Sequence, residues 1–247
     1  MRESLGRLPS TPVDVALFVR EPRNPVEGSA LNTPQLPSLF IYMLSMLSKA
    51  IISQFVNECS AKPEMGDPIG VLTAQVFSQQ DFQWRGASLI DILMAKFRVA
   101  CPVLFGYRAT DRTVAGRLAL GWKPDVDERT HNNRMVGLGT GYASIALRDF
   151  SRSRNRNPFP PSRYWTALAF ILNTPPQLIS DTQLSVLKAM IDGHEQRFIS
   201  FYGTAAIAAL HVAIVEFPAK APKKTPPSGA LMVLGEVLRR DRGLNLL

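Results

Sequence analysis

The 247-residue sequence predicts an all-α protein of about eight helices, stacked in pairs like a solenoid. Three observations predict it. Apolar residues recur at steps of three and four in one segment after another. Short connectors bearing proline and glycine separate those segments. No two alternating apolar runs flank a turn signal, so no hairpin is expected. No exact repeat of fixed period is present, so any repeats have diverged.

Residues 1–36 carry Pro9, Pro12, Pro22, Pro25 and Pro34 and read as an extended segment, draped over the body through Val15, Leu17 and Phe18. Residues 37–247 read as one helical domain. Pro37-Ser38 opens a helix to about Cys59, with Leu39, Met43, Leu47 (or Met46), Ala50 and Ile51 on one face. Asp67 is read as an N-cap with Pro68 at the first helical position, launching IGVLTAQVFS. In ASLIDILMAKFRVAC, Leu89, Ile92, Leu93 and Phe97 keep helical spacing, and the pattern stops before Pro102. A polar interval from Asp111 to Asn133 leads into a helix over 134–149. Pro160-Pro161-Ser162 opens RYWTALAFILN, which ends at Thr174-Pro175-Pro176. Ser180 or Asp181 caps a long helix carrying Leu184, Leu187, Met190 and Ile191. Gly203 separates it from TAAIAALHVAIVEF, apolar nearly all round and so expected to be buried. After the loop FPAKAPKKTPPSG, Ala230 to Arg240 form a last amphipathic helix.

The stretch RMVGLGTGYASIALRDF contains Gly137, Gly139 and Gly141 in alternate places, as phosphate-binding loops do. A dinucleotide loop needs a buried strand before its first glycine, and KPDVDERTHNNR is polar and turn-rich. A Walker loop closes on Gly-Lys-Ser/Thr, whereas Gly141 is followed by Tyr142-Ala143. Met135, Leu138, Tyr142, Ile145 and Ala146 fit a helix instead. Glycine inside a helix costs about 1 kcal/mol against alanine, so these glycines are expected to face a closely packed neighbour.

Catalytic motifs fail in the same way, and the sequence reads as non-enzymatic. His194-Glu195 starts like a zinc-protease helix, but Phe198 stands where the second histidine is needed. His211 reads as a hydrogen-bonded core residue, and Cys101 as a small buried one. Cys59 and Cys101 lack metal-ligand spacing and are too few for a disulfide framework, which suits a reducing compartment. No run approaches eighteen uncharged apolar residues, so no membrane insertion is expected, and MRESLGRLPSTPVD lacks a secretory apolar core. The net charge of +8 points to a polyanionic partner, with Arg148, Arg152, Arg154, Arg156 and Arg163 concentrated in sixteen residues. A solvated basic loop accounts for that cluster equally well.

Several segments together, in this order, resemble a known family: PSLFIYMLSMLSKAI, DPIGVLTAQVF, LIDILMAKFRVACPVLFGY, RMVGLGTGYASIALRDF and PPSRYWTALAFILNTPP. They are similar to the C-terminal domain of the Gle-type mRNA export mediator of the nuclear pore, in its filamentous-fungal form. Cys101-Pro102 with Phe105-Gly106-Tyr107, and Arg134-Met135 through Tyr142-Ala143, are the most specific pieces. The resemblance runs from about Pro25 to the C-terminus. The family's long N-terminal region with its coiled coil is not among these residues, so the chain is expected to be a fragment or a truncated form.

The resemblance implies a helical fold akin to HEAT-type and translation-scaffold middle domains. It implies binding to the C-terminal RecA-like lobe of a DEAD-box RNA helicase at the cytoplasmic face of the nuclear pore, and stimulation of its ATPase cycle. It also implies inositol hexakisphosphate as a bridging ligand, a docked segment of a phenylalanine-glycine nucleoporin, and no metal. The ligand's cations in the family match Lys49, Lys96 and Lys123 here. Relatives often carry a basic pair just before the Cys-Pro, where this chain has Val99 and Ala100. Arg98 is adjacent but points about 100° away around the helix; Arg108 or the Lys223-Lys224 loop are the other candidates to complete the set. Two further function classes fit the composition: an RNA-binding module using the arginine cluster, and a non-catalytic pore scaffold. An ATPase assay with the helicase separates them.

Overall fold

The computed structural model describes residues 10–17, 19 and 22–246. Phe18, expected to drape on the body, lies outside them. The fold is all-α. Among the described residues, ten helices and two small strand pairs occur, against the eight helices and no hairpin expected.

The lead-in is not uniformly extended coil. β1 (Pro12–Asp14) pairs antiparallel with β2 (Gln35–Pro37), Val13 facing Leu36. Val15 and Leu36 are buried, whereas Leu17 is exposed. α1 (Ser38–Glu58) follows directly. Its buried face is Phe40, Leu44, Ser48 and Phe55, one residue out of phase with the expected face. Met43 and Met46 are exposed with Tyr42. Because α1 is rich in apolar residues all round, spacing alone does not settle which stripe turns inward. By length and composition α1 could cross a membrane, contrary to the expectation above. Its Phe40, Leu44 and Phe55 enter the core of this chain instead.

α2 (Gly66–Ser78) has Met65 at its N-cap, and no side chain caps it. Asp67 has a different task. Its carboxylate receives Arg148 at 2.6 Å and Arg197, tying three parts of the chain together. Burial pushes this carboxyl up, but the hydrogen bonds and charges of Arg197 and Arg148 prevail and hold it at about 2.

The unforeseen hairpin joins β3 (Gln83–Trp84) to β4 (Ala87–Ser88). Its two turn residues, Arg85 and Gly86, have φ of 49° and 72°, the geometry of a tight two-residue turn. Glycine in second place was the available signal; the flanking strands are only two residues long and carry no periodicity. α3 (Asp91–Ala100) then buries Leu93, Met94, Phe97 and Ala100.

α4 (Val114–Ala119) lies inside the interval read as irregular, capped by Thr113, whose hydroxyl accepts from the Gly116 N–H. α5 (Glu128–Ala146) begins six residues earlier than expected, because Asp127 caps it by accepting from the Thr130 N–H at 2.8 Å. Its first residues, Glu128 to Thr130, are polar and exposed, which hides the start from a hydrophobic pattern. α6 (Pro161–Leu172) follows the prolines as expected. Ser180 and Gln183 cap α7 (Asp181–Ile191). The long helix expected there breaks at Gly193, whose φ is +77°, and resumes as α8 (Glu195–Tyr202).

α9 (Thr204–His211) continues through a π turn, Val212–Glu216, into Phe217–Ala219. Pro218 has no N–H to give the ladder, and the wide turn just before it absorbs the mismatch. Only one face of this segment is buried, through Ala206, Leu210, Ala213, Ile214 and Phe217. Small alanines on the outer face look apolar in sequence yet tolerate water. His211 is accordingly half exposed, not a core residue, with Nδ1 hydrogen-bonded to the Leu246 carbonyl at 2.7 Å. α10 (Pro226–Arg242) starts four residues before its expected boundary, with the two prolines in its first turn and Thr225 and Ser228 forming the cap.

α5 is the centre of the stack. A Cβ added at Gly137 would stand 2.3 Å from the Phe55 carbonyl oxygen of α1. One at Gly141 would meet the Phe55 ring at 2.4 Å, and one at Gly139 the Val186 carbonyl oxygen of α7 at 2.8 Å. α2 reciprocates, with Gly66 and Gly70 against Thr140 and Ser144 of α5. The alternate glycines are contact points, as the helical reading required.

Two measurements check this account. Gly137→Ala should destabilise by about 1–3 kcal/mol in urea titration, since backbone must move, while Gly229→Ala on α10, with nothing within 4 Å, should stabilise by about 0.5–1 kcal/mol. Helix propensity favours alanine at both places, so two gains in stability would refute the packing. The second concerns pH. Burial holds His131 and His194 down to about 4, below the ordinary 6.5. Both are neutral when folded and protonate on unfolding, so stability is full above about pH 6.5 and is lost as pH falls through about 4. Each should contribute a slope of about 1.4 kcal/mol per pH unit in that window, and His194→Gln should remove one share of it.

Candidate functional site

The candidate site is built on a turn, Gly121-Trp122-Lys123, clamped between two helices. Gly121 has φ +86°, and a Cβ there would stand 2.9 Å from the Ala100 carbonyl oxygen at the end of α3 and 2.8 Å from Pro102. Only glycine lets the turn seat so closely on that helix end. From the other side, Arg134 of α5 donates to the Gly121 carbonyl at 2.8 Å. Trp122 stacks on His131 with centroids 4.0 Å apart and rings 13° from parallel, and Arg117 lies over the Trp122 ring at 5.0 Å. His131 Nε2 meets the Thr182 hydroxyl at 2.9 Å. Held neutral by burial and by Arg134, His131 is a spacer and adds no charge. Lys123 leaves this rigid turn as an exposed cation.

Lys123, Arg134, Val56 and Ser60 border one cavity of about 330 Å³. Lys49 lies seven residues before Val56, close to two whole helical turns, so the two share a stripe of α1, and Ser60 follows just past the helix end. Lys49 thus sits about 10 Å along the axis from Val56. Lys96 is one turn before Ala100 on α3, the residue on which the Gly121 turn rests. The structure therefore brings the three elements that carry Lys49, Lys96 and Lys123 side by side.

The other expected cations are engaged elsewhere. Arg98 projects about 160° away from Lys96 around α3. It donates to the Tyr107 hydroxyl at 2.6 Å and lies over that ring at 5.1 Å. Arg108 donates to the Phe170 carbonyl at 3.2 Å. Lys223 lines a separate cavity beside Asp111, Glu128 and Asp181, an acidic wall. Cys101 is fully buried, and burial pushes its thiol up to about 12, so it serves as a packed apolar group. Sequence reasoning missed Gly121, Trp122 and Arg134 as parts of the site. Their only local trace is a glycine four residues before Asp125 in a polar interval; the stack on His131 and the Arg134 bond are long-range.

The GLE1-like protein family model matches residues 12–214. The mRNA export factor GLE1 of Chaetomium thermophilum is 53% identical over 245 residues, which cover 98% of this chain and 46% of that protein. The mRNA export factor GLE1 of Saccharomyces cerevisiae is 28% identical over 209 residues, covering 81% of this chain and 38% of its own length. The chain thus spans less than half the length of these curated relatives. Among solved structures, a Saccharomyces cerevisiae complex of a Dbp5 C-terminal domain variant bound to Gle1 and IP6 superposes with a TM-score of 0.72 at 26% identity, over 83% of this chain and 70% of the other. A second such complex, with a Gle1 variant, also gives 0.72, at 27% identity. On a family match over most of its residues and 53% identity to one member, the chain belongs to the GLE1-like protein family.

Proposed function

We propose that this chain is an mRNA export factor that binds the C-terminal RecA-like lobe of a DEAD-box RNA helicase through inositol hexakisphosphate, and stimulates that helicase at the cytoplasmic face of the nuclear pore. The observation that carries the reading is the clamped turn presenting Lys123 beside the helices that bear Lys49 and Lys96. The yeast Gle1 bound to Dbp5 and IP6, similar in sequence and superposable in fold, supplies the partner and the ligand. A phenylalanine-glycine nucleoporin segment is the third expected partner.

The chemistry suits the arrangement. Each of six phosphates carries about −1.5 to −2 charges near neutral pH, more than three lysines neutralise. The ligand bound here keeps a large negative excess, which a second basic surface completes. Two cationic proteins that repel one another are joined by the shared anion. Val99, 79% exposed, and Ala100, covered by the Gly121 turn, have uncharged side chains and add nothing to the anion's neutralisation. The site is therefore leaner in cations than one with a basic pair at those positions. The chain lacks a Walker loop, so its effect on the helicase comes from preferring one arrangement of the two RecA-like lobes. A partner shifts an equilibrium only by its differential affinity for the two states.

Calorimetry of inositol hexakisphosphate with the chain, and with the variant carrying Lys49→Gln, Lys96→Gln and Lys123→Gln, tests the ligand site. The variant should lose at least about tenfold in affinity, each lost charge-assisted contact weakening the complex. Its melting temperature should barely move, since exposed cations contribute little to folding. Unchanged affinity refutes the assignment. Steady-state ATPase of the helicase tests the mechanism: stimulation should be strongest at low salt with the ligand present and decline as ionic strength rises. Equal stimulation with and without the ligand at every salt concentration would remove the bridge from the mechanism.

A further inference from the structure

The arginine cluster is not part of the lysine site, and the structure divides it in two. Arg148 is structural: it pairs with Asp67 at 2.6 Å and donates to the Ser144 carbonyl. The residues after it form a loop that is pinned at every second position. The Asn155 side chain donates to Ser78 Oγ at 3.2 Å, and its N–H to Ser153 Oγ at 3.1 Å. The Asn157 side chain donates to the Arg148 carbonyl at 3.0 Å and accepts from the Phe159 N–H at 2.9 Å. Phe159 anchors the far end in the core, edge-on to Tyr142. Arg152, Arg154 and Arg156, the alternate residues, are all exposed, and none has a hydrogen-bond or ion-pair partner among the described residues. Asp149, beside Arg152, is engaged by the Ser151 N–H at 2.7 Å, and Glu27 borders the hollow that Arg154 and Arg156 reach.

At the start of this row lies a cavity of about 400 Å³ with Val71, Ala74 and Leu147 in its wall and Phe150, Phe201 and Arg197 around it. Phe201 is 37% exposed. Three exposed arginines stand on alternate residues of a pinned loop, their Cα atoms at most about 7 Å apart from one to the next, between the hollow that Arg154 and Arg156 border and the aromatic-lined one beside Asp149, Phe150 and Ser153. That is the combination single-stranded nucleic acid uses, a cationic track for phosphates and ring faces for bases. A peptide docking by strand addition needs free backbone groups, and the loop spends those of Ser151, Ser153, Asn155, Phe159 and Arg148 on its own bonds.

We propose that the loop from Arg152 to Arg156, with Phe150 and Phe201, is a binding track for single-stranded RNA, separate from the lysine site and independent of the inositol phosphate reading. Fluorescence anisotropy with a labelled, unstructured RNA oligonucleotide and the 247-residue chain tests it. Wild type should bind with a log–log salt slope that includes about −2 from three phosphate contacts. Arg152→Gln, Arg154→Gln and Arg156→Gln together should weaken binding by about tenfold and flatten the slope by about 2, with the melting temperature unchanged. The triple lysine variant, Lys49→Gln, Lys96→Gln and Lys123→Gln, should keep most of the affinity. A control with Arg239→Gln, Arg240→Gln and Arg242→Gln removes the same formal charge from α10. The proposal is overturned if wild type does not bind at low salt, if the α10 control loses as much as the loop variant, or if polyglutamate of equal charge displaces RNA completely, which would point to an acidic protein partner.

Discussion

Everything else in the molecule depends on how closely three helices approach α5. Phe55 of α1, Gly66 and Gly70 of α2 and Val186 of α7 all meet it where it has either no side chain or a short one. Interhelical distance is set by what stands between the axes, and here almost nothing does. Bringing backbones together increases dispersion contacts and excludes water from a long line of contact. It also leaves no slack. α5 cannot rotate or slide without driving Phe55 or Val186 into its backbone, so the helices around it inherit its position.

That rigidity reaches the surface through Arg134 and His131, both on α5. One holds the Gly121 carbonyl and the other holds the Trp122 ring, so the turn carrying Lys123 is registered to the central helix. The same turn rests on the Ala100 carbonyl, which registers it to α3. The backbone of that cation is fixed before any ligand arrives, so only its side chain is left to order on binding. The Asp67 knot does the equivalent for the arginine loop, joining α2, α8 and Arg148, two residues past α5, through one carboxylate.

Much of this was legible in the sequence, and the omissions share a cause. α6, opened by its prolines, stood close to its expected bounds, and α7 began where its cap was read but ended early, before Gly193. The helical reading of Gly137, Gly139 and Gly141 held because the surrounding apolar spacing had a period and the competing loop motif lacked its essential residues. What failed was anything decided at a distance. The inward stripe of α1 was misread by one residue because apolar residues surround that helix, and only its neighbours choose among them. Asp67 looked like a cap because a cap is local, whereas Arg148 and Arg197 are 81 and 130 residues away. The lysines are proposed from family resemblance alone, and Gly121, Trp122 and Arg134 join that candidate site only once α3 and α5 are seen to flank one turn.

Val99 has one consequence for how such a protein changes over generations. It stands about 60° from Lys96 around α3, the same side of the helix, and it touches almost nothing. Exchange at this position alters surface charge without disturbing the interior, so the charge beside the proposed anion site can change in single steps while the scaffold stays the same. Ala100, pressed under the Gly121 turn, has no such latitude. Of two neighbouring positions, one can take almost any side chain and the other is kept small by the architecture.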